Sequence, residues 1–110
     1  MKVLWTKFAL NSLHEIFNYY RDNVSYTVAQ NIKNNILSGT HQLEKQPLSG
    51  PIVVMLSSLE KDSYRYIIRG NYKIIYKIQN KKIFIMDVFD TRQNPDRDSH
   101  SSSKLNEPTS

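Results

Sequence analysis

The stretch YRYIIRGNYKIIYKIQNKKIFIMDVFDTRQNP, residues 64–95, contains three runs of β-branched and aromatic residues separated by two short breaks. The breaks are Gly70-Asn71 and Gln79-Asn80-Lys81, and both contain residues that tolerate the positive φ of tight hairpin turns. The pattern therefore predicts three consecutive antiparallel strands, a meander. Their predicted bounds are Arg65–Arg69, Tyr72–Ile78 and Ile83–Phe89.

The predicted meander is rich in positive charge, since the stretch holds seven lysines and arginines against only Asp87 and Asp90. Residues that share parity on a strand share a face, so Arg65 and Arg69 should emerge together, as should Lys73 and Lys77. Cationic side chains bind phosphates or carboxylates, and the interleaved tyrosines can stack on bases. A surface for an anionic partner is one interpretation. A solvated face opposite a tyrosine-containing core is the other.

Composition limits the function classes. The chain has 110 residues, a net charge of +5 and no cysteine. This length suits one domain, and the charge is compatible with nucleic acid, an acidic protein segment or a membrane surface, although weakly basic surfaces also occur without such partners. The lack of cysteine excludes disulfides and thiolate chemistry. Because no apolar run approaches the roughly 20 residues that span a bilayer, and no leader-like segment follows Met1, we expect a cytoplasmic protein without membrane contact.

The first half of the chain predicts a strand followed by two helices. Met1–Trp5 is short and apolar, and Thr6 is a candidate N-cap for a helix over Lys7–Arg21, whose apolar residues form a single stripe. A second helix is predicted over Thr27–Gln46, with Thr27 as its cap. Gly39 inside it costs about 1 kcal/mol relative to alanine, so irregular last turns are expected. The short connection favours an antiparallel helical hairpin.

The remaining segments complete the predicted architecture. Ile52–Leu56 fits either a strand or an apolar loop on the core. Residues 96–110 are polar and serine-rich, which predicts a disordered tail after a single domain of residues 1–95. The expected fold is α+β: an N-terminal strand and an antiparallel helical hairpin packed on a small antiparallel β-sheet.

Few residues suggest catalysis. The three histidines, His14, His41 and His100, lie far apart in sequence and lack the spacing of a metal site. Only three glycines are present, and they form no Gly-rich phosphate loop. No carboxylate pair or Ser/His/Asp arrangement can be placed together from the sequence. We therefore expect no metal and no cofactor.

Three segments of the chain carry a resemblance to a known family. They are the opening VLWTKFALNSLHEIFNYY, the hairpin YRYIIRGNYKIIYKI, and VFDTRQNP with its Arg-x-Asn-Pro ending. In this order they resemble the RelE/ParE superfamily of toxins from type II toxin-antitoxin systems. The resemblance extends up to Arg97 and implies a RelE/ParE-like fold, in which a small sheet supports an N-terminal helical hairpin.

The superfamily has two mechanistic branches, and the first is nucleolytic. RelE-like members are metal-independent ribonucleases that cut mRNA in the ribosomal A site, which requires cations at the scissile phosphate and a general acid or base. By position, Arg65, Lys73 and Arg92 match cationic residues of that pattern, whereas Ile67 stands where a further basic residue is expected. The tyrosine or histidine expected just beyond Arg92 is absent, because Gln93–Arg97 follows instead.

The missing proton-transfer group favours the ParE-like branch, whose members inhibit DNA gyrase and are not nucleases. The resemblance then implies the toxin component of a type II module, neutralised by a cognate antitoxin. One alternative is a RelE-like mRNA interferase, an endoribonuclease that acts on ribosome-bound mRNA. A second alternative is an inactive toxin-fold protein that serves only as a binding module.

The resemblance also implies a contact surface for the antitoxin. A small acidic or amphipathic antitoxin would lay an extended segment across basic side chains and an exposed strand edge, forming a hetero-oligomer with the toxin. Trp5, Phe17 and Tyr20 would supply apolar contacts to it or belong to the core. The residues expected to bind the target or the antitoxin are Arg65, Arg69, Lys73, Lys77, Arg92 and Asn94.

Overall fold

A computed structural model describes residues 1–53 and 64–92 of the chain. A helical hairpin covers one face of a four-stranded sheet, so the predicted α+β fold with an N-terminal strand is confirmed. Asn94, the tail over residues 96–110 and residues 54–56 of the uncertain apolar segment lie outside the described residues. The elements are β1 (Lys2–Trp5), α1 (Lys7–Asn23), α2 (Tyr26–Leu43), β2 (Tyr64–Arg69), β3 (Tyr72–Gln79) and β4 (Lys82–Asp90).

The three strands after the helices form the predicted antiparallel meander. Gly70-Asn71 connects β2 to β3, and Asn80-Lys81 connects β3 to β4. Gly70, Asn80 and Lys81 have φ angles of 60, 53 and 60°. Two-residue hairpin loops require such left-handed backbone, because it matches the twist of the flanking strands. The turn residues of the sequence therefore set the strand register.

The N-terminal strand β1 adds a parallel pair to the otherwise antiparallel sheet. The strand order is β1-β4-β3-β2, and β1 pairs in parallel with β4, from Lys2 opposite Lys82 to Trp5 opposite Ile85. The sheet is therefore mixed, which corrects the prediction of a wholly antiparallel sheet. A parallel pair needs a crossover connection of a dozen or more residues, and two helices and two strands supply it here.

Both helices begin at a side-chain cap. The Thr6 hydroxyl accepts a hydrogen bond from the Ala9 amide at 3.2 Å, which confirms the predicted cap of α1. The α2 cap is Ser25, whose hydroxyl accepts from the Val28 amide at 3.1 Å, so the prediction of Thr27 as the cap is wrong. Both residues have the extended backbone that lets a short side chain reach these amides.

The helix ends also differ from the predicted bounds. α1 continues to Asn23 instead of ending at Arg21, and α2 ends at Leu43 instead of Gln46. The expected irregularity at Gly39 is absent, because α2 is regular up to Leu43. A Cβ atom at Gly39 would lie 2.8 Å from Cγ of Arg69, so this glycine lets the Arg69 side chain lie against the helix.

The apolar side chains of β3 are buried on both faces of the sheet. Ile74 and Tyr76 belong to the main core beneath the helices. Ile75, between them, points to the opposite face and packs with Tyr64 and Phe89 in a smaller cluster. Both faces of β3 therefore bury apolar side chains, although Lys73 and Lys77 interrupt the apolar run on the face away from the helices.

Thr6 also ties α1 to the sheet, because its hydroxyl donates a hydrogen bond to the Ile85 carbonyl at 2.8 Å. We expect Thr6→Ala to lower the free energy of unfolding by about 1–2 kcal/mol for the lost cap and about 1 kcal/mol for this bond. Ser25→Ala should remove only a cap, and Thr6→Ser should stay close to the unaltered chain. Urea unfolding measures all three. Equal losses for Thr6→Ala and Ser25→Ala would contradict the role assigned to the Ile85 contact.

Candidate functional site

Arg65 and Arg69 lie on the face of β2 that packs against the helices. Their cross-strand partners are Tyr76 and Tyr72, two residues of the main core. Nη1 of Arg65 donates a hydrogen bond to the Gly50 carbonyl at 2.8 Å. The Arg65 guanidinium therefore holds the segment before β2 against the strand.

Lys73 and Lys77 lie on the opposite face of the sheet. Nζ of Lys73 is 4.4 Å from the ring centroid of Tyr66, and Nζ of Lys77 is 5.8 Å from that of Tyr64. A cation over an aromatic face is attracted by the ring quadrupole. Each basic pair keeps to one face, as the spacing predicts, but the two pairs lie back to back. The structure does not bring them together in one basic surface.

Arg92 follows β4 and is held by Asp90. The Arg92 amide donates to Oδ1 of Asp90 at 2.8 Å, and its Nη2 lies 3.1 Å from Oδ2. Hydrogen bonding to Asp90 raises the pKa of the Arg92 guanidinium above its usual value. The three cations that match the RelE pattern thus occupy separate places: Arg65 at the start of β2, Lys73 on the opposite face, and Arg92 beyond β4.

A cleft of about 250 Å³ lies between the helical hairpin and the turn that joins β2 to β3. It brings together Arg69 and Arg92, two of the predicted binding residues that lie far apart in the sequence. We call it the Arg69–Arg92 cleft. Its lining residues are Tyr20, Ile32, Asn35, Arg69, Gly70, Asn71, Tyr72 and Arg92.

The Tyr72 hydroxyl is the unexpected feature of this cleft. Tyr72 is 5% exposed, and its Oη has no hydrogen-bond partner of acceptable geometry among the described residues. Burial, followed by the neighbouring Tyr20 hydroxyl, raises the pKa of the Tyr72 phenol well above its usual value. The phenol is therefore neutral near pH 7 and keeps its proton for donation. Buried polar groups without a partner are uncommon and call for a physical explanation.

Arg69 supplies the positive charge of the cleft that no carboxylate among the described residues balances. Its Nη2 donates to Oε1 of Gln42, and its Nη1 lies 3.5 Å from the Ile68 carbonyl, so both acceptors are neutral. Among residues 1–53 and 64–92, no carboxylate forms an ion pair with Arg69. Arg92, in contrast, is balanced by Asp90.

Sequence reasoning found the two arginines of the cleft but not its other walls. Tyr20 and Asn35 come from α1 and α2, and no sequence pattern places them beside the distant turn at Gly70-Asn71. The one local signal was the Asp90-x-Arg92 spacing, which indicates that these two side chains, at and just after the end of β4, can form an ion pair.

The histidines and helices offer no alternative site among the described residues. His14 and His41 are exposed, and Nδ1 of His41 lies 3.5 Å from Oε2 of Glu44. Within residues 1–53 and 64–92, no group of three or more metal-ligating side chains comes together. In the same ranges, neither helix has the length and apolarity to cross a membrane.

The mixed sheet, the helical hairpin and the order of elements agree with the fold that the RelE/ParE resemblance implies. A family model described as "ParE toxin of type II toxin-antitoxin system, parDE" matches residues 3–95. The chain belongs to this ParE toxin family, which confirms the resemblance seen in the sequence.

The fold is also similar to a solved structure, described as a chromosomal ParDE TA system from P. aeruginosa. The TM-score is 0.64 at 17% sequence identity, and the match covers 82% of this chain and 95% of that chain. At this identity the likeness is one of fold. No curated protein matches the chain significantly.

Two buried tyrosines on the same face of β3, Tyr72 and Tyr76, allow a matched stability test. Oη of Tyr76 donates to the Pro47 carbonyl at 2.8 Å and accepts from the Gly50 amide at 3.1 Å, whereas Tyr72 has no such partner. Tyr76→Phe should therefore lower the free energy of unfolding by about 1–3 kcal/mol, because it leaves two backbone groups unpaired. Tyr72→Phe should leave stability unchanged or slightly raised. Chemical denaturation distinguishes the two, and a comparable loss in Tyr72→Phe would show that its hydroxyl is bonded in the folded chain.

Proposed function

We propose that this ParE-family chain inhibits DNA gyrase and is neutralised by a cognate antitoxin. The family match over residues 3–95 is the observation that carries the proposal. Gyrase inhibition follows from the ParE-like branch that the sequence resembles. Because gyrase acts on chromosomal and plasmid DNA inside the bacterial cell, the proposed site of action is the cytoplasm.

The positions of the cations support a mechanism without RNA cleavage. Phosphodiester cleavage needs cations that converge on one phosphate, together with a group that moves a proton. Here Arg65 is bonded to the Gly50 carbonyl, Lys73 lies on the opposite face of the sheet, and Arg92 is paired with Asp90. No single phosphate can contact all three cations in this arrangement.

The antitoxin is the proposed partner in a hetero-oligomer, and the edge of β2 suits its docking. β2 is the edge strand of the sheet, and residues 51–53 pair only with its first half. A segment that wraps around the remaining edge would reach Arg69 on one face and Lys73 on the other. We propose that Arg65, Lys77, Arg92 and Asn94 also contact the antitoxin or the target.

The proposed target is tested by two assays on the purified chain. We expect the chain to block supercoiling of relaxed plasmid by DNA gyrase while translated mRNA stays intact in a ribosome-containing extract. Arg69→Gln should weaken inhibition, because it removes the unbalanced charge of the cleft. Lys7→Gln is the matched control, since it removes one exposed charge at the start of α1.

The same pair of assays separates the alternatives. Ribosome-dependent cleavage of mRNA that Arg92→Ala abolishes, together with normal supercoiling, would establish a RelE-like mRNA interferase. Normal supercoiling, intact mRNA and unimpaired growth of an expressing bacterial host would leave only a binding module.

Charge pairing should supply most of the affinity for the antitoxin, whose gene is expected beside the gene for this chain. We expect its affinity to fall steeply as salt rises, because exposed ion pairs are screened over about 10 Å at 0.1 M ionic strength. Replacing Lys73 and Lys77 together with glutamine should flatten this dependence, whereas Lys7→Gln should not. Calorimetric titration at several salt concentrations measures both effects. An affinity independent of salt would argue against a charge-paired interface.

A further inference from the structure

We propose that the Arg69–Arg92 cleft binds a single carboxylate group of a protein partner. This proposal rests on the proposed function in one respect: the protein partner is taken to be the antitoxin. Binding of a carboxylate to the isolated chain is independent of gyrase inhibition.

The first argument is the charge of the cleft. Arg69 and Arg92 each contribute one positive charge and Asp90 contributes one negative charge, so these three side chains carry a net charge of +1. Both acceptors of the Arg69 guanidinium are neutral, so they leave its charge unbalanced. One carboxylate would balance it. Planar guanidinium groups also match the two oxygens of a carboxylate in geometry.

The second argument is the supply of hydrogen-bond donors. The Tyr72 hydroxyl is buried at the cleft next to the Tyr20 hydroxyl, but it forms no hydrogen bond of good geometry with any described residue. The Asn35 side-chain amide also lines the cleft and lies beside Gly70, where its Nδ2 would be 3.8 Å from an added Cβ atom. A ligand oxygen that accepted a hydrogen bond from Tyr72 would remove the cost of burying its hydroxyl unpaired. This would account for a buried phenol that has no well-formed hydrogen bond among the described residues.

The third argument favours a protein carboxylate over a nucleic-acid phosphate. Nucleic-acid binding draws its affinity from several phosphate contacts along a basic track. Lys73 and Lys77 lie on the opposite face of the sheet, so no such track leads from the cleft across the meander. Its walls also include Ile32 and the ring of Tyr20, which suit an apolar side chain beside the carboxylate.

The test uses N-acetyl-leucine, which presents one carboxylate next to an apolar side chain, and NMR of the full ¹⁵N-labelled chain. We expect saturable shifts of the Gly70 amide, the Asn35 side-chain amide and the Arg69 Nε resonance. N-acetyl-leucinamide, which lacks the carboxylate, should produce none of them. The dinucleotide thymidylyl-thymidine probes the phosphate alternative.

Variants connect the binding to the side chains of the cleft. Tyr72→Phe should weaken N-acetyl-leucine binding about tenfold, because a hydrogen bond to a charged group is lost. Arg69→Gln should abolish binding, and Lys7→Gln should leave it unchanged. An unchanged free energy of unfolding for Tyr72→Phe, measured by chemical denaturation, would exclude unfolding as the cause.

Three results would overturn the assignment. They are equal binding of N-acetyl-leucine and its amide, shifts that map away from the cleft, and binding of the dinucleotide in place of N-acetyl-leucine. If N-acetyl-leucine binds but Tyr72→Phe leaves antitoxin affinity unchanged, the antitoxin is the wrong partner. Failure of gyrase inhibition alone is a different result, because it concerns the target and leaves these titrations unaffected.

Discussion

The register between β2 and β3 controls where the basic side chains of this fold are placed. A two-residue turn at Gly70-Asn71 places Arg69 opposite Tyr72 and Arg65 opposite Tyr76. Side chains alternate between faces along a strand, so a slip of one residue would move every one of them to the other face. With this register, the arginines of β2 lie against the helices, and the lysines of β3 lie on the far side.

Packing of the helices on the sheet converts that register into a cleft. Gly39 leaves room for the Arg69 side chain against α2, where its guanidinium meets Gln42. The same packing buries Tyr72 beside the Tyr20 hydroxyl, and among the described residues its own hydroxyl forms no hydrogen bond of good geometry. A small domain has few buried polar groups, and most of those here are bonded, as Tyr76 is to the segment before β2. The contrast between the two tyrosines is what distinguishes the cleft from the rest of the core.

The separation of cations also bears on the choice between the two toxin branches. Three basic residues at matching positions do not amount to a nuclease site unless their side chains converge. Arg65 holds a backbone carbonyl, Lys73 lies over an aromatic ring, and Arg92 is paired with Asp90. Each of these three side chains has a partner within the chain, and the three partners lie in different parts of the structure. Family membership and this geometry together support the ParE-like proposal.

The sequence was enough to predict the two helices, the meander and the toxin family, because these depend on local signals: alternating apolar residues, turn residues such as Gly70 and Asn80, and the cap at Thr6. It placed Arg69 and Arg92 among the candidate residues but not together. Tertiary contacts were needed to establish that β1 pairs in parallel with β4, and that the buried Tyr72 hydroxyl forms no hydrogen bond of good geometry among the described residues. Both follow from contacts between residues far apart in the chain. Local propensity carries no information about which distant surfaces meet, since that depends on how the whole set of apolar faces is buried at once.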